Sequence, residues 1–201
     1  MSVFILLILF ISILLSGSII VVFGSITSKQ LKLILAFSGA YLFSLSVIHL
    51  LPDVYDSGGA SIGIFILMGF FLQVVLEIFS EGIEHGHMHI HKDHHHKFPL
   101  GIMLGLCIHS FLEGVPLAQR FTEESTRMSL LAGIILHHIP VAIALMTMLL
   151  DSSISKTKAF VYLSLFALMA PLGSWFGNFL GHAISQDLSL LFDRFMAVVI
   201  G

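Results

Sequence analysis

The sequence predicts an all-α membrane protein, a polytopic bundle of six full helical spans and a partial seventh. Three observations carry that reading. Of the 201 residues, 57% are hydrophobic and only 10% charged, far from the balance of a soluble domain. Apolar runs recur at the length needed to cross ~30 Å of hydrocarbon at ~1.5 Å per residue. The ionisable residues inside those runs are mainly histidine and glutamate, which are costly in lipid and usually face a cavity or a partner.

The runs follow one another at 2–23, 31–51, 62–80, 98–119, 128–150 and 159–182. The first lacks a basic start and a small-residue cleavage site and is too long for a signal peptide, so it reads as a span. A seventh begins near Leu188 and stops at "FDRFMAVVIG", about fourteen residues in, where roughly 20 are needed. The whole of 1–201 reads as one integral membrane domain. Cys107 is the single cysteine, which excludes an intramolecular disulfide and any multi-cysteine metal site. No extended linker, soluble domain or phosphate-cradling glycine loop is present, so ATP hydrolysis is not supported. Nucleic acid is not an expected partner.

Loop charges set the expected orientation. Lys29, Lys32, Lys92, Lys97, Lys156 and Lys158 flank the odd-numbered connections, against Arg120, Arg127 and Arg194 on the even ones. The positive-inside rule then places the N-terminus outside and the third connection, 81–97, in the cytoplasm. That connection, "EGIEHGHMHIHKDHHHK", carries His85, His87, His89, His91, His94, His95 and His96. Histidine-rich tracts bind borderline divalent metals through neutral imidazole, so the loop is an accessory chelator. The bland alternative is a solvated linker.

Within the spans, "CIHSFLEGVPLAQ" places His109 and Glu113 four residues apart, on one face of a helix and within reach of one ion. In "LHHIPVAIAL" of the fifth run, His137 and His138 lie near the middle of the span, and Pro140 frees a backbone carbonyl nearby. A lone histidine in a membrane helix is usually an interhelical hydrogen-bonder. Three with a glutamate at similar depth point instead to a metal, and imidazole plus carboxylate suits zinc and related ions better than magnesium or calcium.

Other polar groups extend this into a path. His49 and Asp53, in "HLLPD", lie at the outer end of the second run and are the expected entrance. Gln73, Glu77 and Glu81 share a face of the third run and lead into the histidine loop. Glu77 and Glu81 are thus the expected exit, although an ordinary amphipathic helix end would look the same. In "PLGSWFGNFLG", Gly173, Gly177 and Gly181 form the small-residue repeat that lets helices approach closely, as Gly101 and Gly105 do in the fourth run. The fourth run is therefore expected to pack tightly around the site.

On these residues the chain resembles the ZIP family of divalent-metal transporters. "HSFLEG" is similar to that family's fourth-helix His-Asn-x-Pro-Glu-Gly-like motif and "HHIPVA" to its fifth-helix counterpart, with the histidine-rich loop ahead of both. "HLLPD" and "PLG" extend the likeness to the second and sixth helices. The resemblance implies a secondary carrier with eight helices, so the C-terminal end of the fold is expected to be missing. It implies zinc or a related metal as cargo, moved towards the cytoplasm through a site between helices four and five.

The departures are Ser110 for asparagine, Val141 for glutamate and Ala170 for a glutamate before "PLG", with His138 where the family often has asparagine or aspartate. They imply one dominant site, held by His109, Glu113 and His138, with His137 as a further candidate. Expected partners are the cation and the lipid bilayer, with a homodimer left open; the expected location is the plasma (inner) membrane. The protein is not expected to be an enzyme. Two rivals stand beside the carrier: a membrane-embedded zinc hydrolase, though no "HExxH" is present, and a heme protein using two of the histidines.

Overall fold

The computed structural model describes residues 3–24, 26–58, 61–79, 100–118, 124–152, 154–183, 194–196 and 198–199. Every regular element among them is helical. In order these are α1 (Val3–Phe23), α2 (Ser28–Leu45), α3 (Leu51–Gly58), α4 (Ile62–Phe79), α5 (Leu100–Gly114), α6 (Glu124–Asp151) and α7 (Lys156–Ala183). Six stretches among the described residues are long and apolar enough to cross a bilayer, as the hydropathy pattern predicts. Glu81, the seven loop histidines and most of the partial seventh run lie outside the described residues.

The second span is longer than its apolar run and has a defined start and break. Thr27 opens it with a capping box, its hydroxyl accepting from the Gln30 backbone N–H while the Gln30 side chain accepts from Thr27. Near its other end Pro52 cannot donate to the carbonyl four residues back. The chain widens there into a π turn, Ser46–Leu50, in which the Leu51 N–H reaches the Ser46 carbonyl, and α3 then continues the same rod. His49 sits in this turn and is exposed. A comparable adjustment ends α5: Pro116 lacks an N–H, and Val115–Ala118 tighten into a 3-10 turn.

The bundle is built around α6. Two-thirds (67%) of its apolar window is buried, against 17% of α4's, so α6 is central and α4 peripheral. Ile13, Leu35, Leu106, Leu145, Leu163 and Phe166 form the main core, drawn from α1, α2, α5, α6 and α7. The outward faces are equally apolar: Leu7, Ile11, Leu15 and Val22 on α1, and Phe70, Phe71 and Ile78 on α4, are all exposed. Such continuous greasy surfaces are tolerable only against lipid or protein.

Gly173 and Gly177 of α7 do what their spacing predicts. A Cβ on Gly173 would collide with the Phe111 carbonyl of α5, and one on Gly177 would lie 2.8 Å from the Val115 carbonyl and 2.9 Å from the Ala118 Cβ. On α5 the matching close approach is at Gly114, against the Ala170 carbonyl, rather than at Gly101, where the nearest atom would be 3.8 Å away. The two backbones touch, and α7 thereby fixes α5, the helix that carries His109 and Glu113.

A candidate metal centre between α5 and α6

His109 and Glu113 lie one turn apart on α5 and face His137 of α6. His109 Nε2 is 3.2 Å from Glu113 Oε1, and His137 Nε2 is 3.8 Å from the same oxygen. One donor atom from each of the three residues lies within 4.8 Å of the other two. Tetrahedral zinc with bonds of 2.0–2.1 Å holds neighbouring donors about 3.3–3.5 Å apart. One pair already meets that spacing, and the others need only small side-chain movements.

Three protein donors leave the fourth tetrahedral position open, whereas structural zinc sites close all four. The side chains of His109 and Glu113 keep 16% and 15% of their exposure, although His109 Nε2 and Glu113 Oε2 are themselves buried.

Each ring is steered by a neighbour from another helix. The Ser38 hydroxyl on α2 donates to the Leu35 carbonyl at 3.0 Å. It is thereby left to accept from His137 Nδ1, 3.3 Å away, which turns the Nε2 lone pair of His137 towards Glu113. On the opposite side Gln73 Oε1 of α4 lies 3.0 Å from His109 Nδ1. The centre is therefore assembled from four helices, α2, α4, α5 and α6.

His138, expected as the third ligand from the departures with His137 as a further candidate, is held differently. Its Nδ1 donates to the Ile134 carbonyl at 2.9 Å, and its Nε2 accepts from the Ser110 hydroxyl at 2.8 Å. Its Nδ1 also lies 3.4 Å from Glu113 Oε2, and the ring packs on Phe166 with centroids 5.7 Å apart. Both nitrogens are engaged in a wholly buried setting, so the geometry favours His137 over His138 as the third donor. Val141 and Ala170, at 2% and 0% exposure, are apolar and enclosed, and Val141 belongs to the main core.

The outlying candidates are dispersed. Asp53 is half-buried in the first turn of α3, four residues beyond the exposed His49. Glu77 is half-buried near the C-terminal end of α4. None of the three belongs to the donor cluster, and Glu81 and the loop histidines fall outside the described residues. Sequence reasoning missed Ser38 entirely. The available signal was a small polar residue in "AFSGAYLF", at about the mid-length of a span.

Residues 98–193 match the family model of the ZIP zinc transporters. Over that stretch, just under half of its length, the chain is similar to the ZIP family. The match takes in α5, α6 and α7, and with them His109, Glu113, His137 and His138. No curated protein matches the chain. That match supports divalent-metal transport and, with the six apolar stretches, an integral membrane protein, and it fits a carrier rather than an enzyme.

Proposed function

We propose that this protein is a secondary carrier that moves a divalent cation, zinc first among them, towards the cytoplasm through the centre formed by His109, Glu113 and His137. The observation that supports this most is the donor set itself: two imidazole nitrogens converge on one carboxylate at the α5–α6 interface, inside the segment that matches the ZIP model. Nitrogen and oxygen donors suit zinc and its neighbours. An incomplete shell favours release as well as capture, which a carried ion requires. His138 is reserved as a second-line donor, available only if it gives up Ser110 or Ile134.

In this reading His49 and Asp53 draw cations to the outer mouth and Glu77 and Glu81 receive them at the inner one. The histidine loop at 81–97 concentrates them in the cytoplasm. The N-terminus is outside and the chain acts as one domain in the plasma (inner) membrane. The heme alternative loses ground on geometry, since Glu113 Oε1 sits 3.2 Å and 3.8 Å from the two rings that would be axial ligands. It occupies the space a porphyrin would need.

Reconstitution into liposomes holding a zinc-sensitive dye tests the proposal. Saturable zinc uptake is expected, and deleting residues 85–96 should lower total bound zinc while leaving a site of unchanged affinity in the membrane. Loss of all zinc binding on deletion would place the main site in the loop. Uptake no faster than in protein-free liposomes would count against a carrier.

A further inference from the structure

We propose that Gln73 is a positioning residue for the cation centre, fixing through one hydrogen bond which nitrogen of His109 faces Glu113. The inference rests on the reading of His109, Glu113 and His137 as ligands. An amide oxygen only accepts, so the 3.0 Å approach of Gln73 Oε1 assigns the proton to His109 Nδ1. Nε2, 3.2 Å from Glu113 Oε1, then carries the lone pair that coordination needs. Without such a partner a neutral imidazole distributes its proton between both nitrogens, and only one tautomer binds an ion through Nε2.

The position of Gln73 on its helix supports the same role. Gly69, Gln73 and Leu76 lie on one face of α4, at i, i+4 and i+7, and both Gly69 and Leu76 are buried. The other side of α4 is exposed Phe70, Phe71 and Ile78. An amide in an apolar span is costly unless bonded, and this one sits on the inward stripe with its oxygen directed at a ring of the centre. The peripheral helix thus has a chemical connection to the site. Ser38 makes the equivalent approach to His137 from α2, so both rings present Nε2 to the same carboxylate oxygen.

Partners of this kind, when removed from metal-ligating histidines, typically cost 10–100-fold in metal affinity. The test is a cobalt(II) titration of the full chain in detergent, read from the visible d–d bands. Subtracting the Glu113→Gln spectrum removes the contribution of the histidine loop. Gln73→Met, which keeps length but not the acceptor, should weaken cobalt at the centre 10–100-fold. Gln73→Glu, which restores an acceptor for Nδ1–H, should bind at least as tightly as the parent.

A residue that merely fills space would not be rescued by placing a charge in an apolar span. Gln73→Met binding as the parent does overturns the proposal. If Gln73→Met does not fold, Gln73→Glu decides alone, and weaker binding than the parent overturns it. A parent spectrum identical to that of Glu113→Gln would refute instead the assignment of the centre itself.

Discussion

Glu113→Gln is expected to remove the tight cation site, lowering zinc affinity by about 100-fold or more while the chain still folds. Among the described residues the carboxylate is the only acidic donor in the cluster, and the two proposed ring ligands converge on its Oε1 at 3.2 Å and 3.8 Å. Glutamine keeps the volume and one oxygen but loses the charge. In a low-dielectric interior, losing one partner of a close charge pair costs about 2–5 kcal/mol, and 1.4 kcal/mol is tenfold in affinity. Calorimetry on the purified parent and variant, with thermal unfolding of both in the absence of zinc, measures binding and folding separately. An unchanged tightest site would remove Glu113 from the centre.

Gly173→Ala is the second large effect, and it acts through packing. The added Cβ would collide with the Phe111 carbonyl, and backbone cannot swing aside as a side chain can. The α5–α7 contact must open, at about 1–3 kcal/mol or more for an overpacked core. Because Phe111 lies between His109 and Glu113 on α5, the displacement should also weaken zinc binding. Gly39→Ala in α2 is the control, since nothing lies within 4 Å of a Cβ there. It should be neutral or stabilising by up to about 1 kcal/mol, the usual gain of alanine over glycine in a helix. Thermal melts in detergent distinguish the two, and equal melting temperatures would mean that α5 and α7 are not held by close backbone contact.

The spans were legible because lipid leaves few alternatives: a run long enough to cross must be helical, with its backbone bonded internally. The i, i+4 pairing of His109 and Glu113 was legible for the same geometric reason, since both belong to one helix. What the sequence could not order was His137 against His138. Adjacent residues on a helix point about 100° apart, and nothing local says which direction faces α5. The answer lies in partners from elsewhere. Ser110 takes up His138 at 2.8 Å while Ser38 orients His137 at 3.3 Å. The residues that depart from the family pattern at positions 110 and 138 are thus hydrogen-bonded to each other, a complementarity invisible to motif matching. Gln73 was placed on a polar stripe from its spacing, but its contact with His109 depends on how α4 packs on α5.

X-ray absorption at the zinc edge, on the zinc-loaded chain with residues 85–96 deleted, tests the centre most directly. A shell of two imidazole nitrogens and carboxylate oxygen is expected, with bonds of about 2.0–2.2 Å, and its imidazole signal should fall when His137 is replaced by alanine. The same spectrum before and after that replacement, or one with no imidazole scattering at all, would contradict a cation held between α5 and α6 by His109, Glu113 and His137.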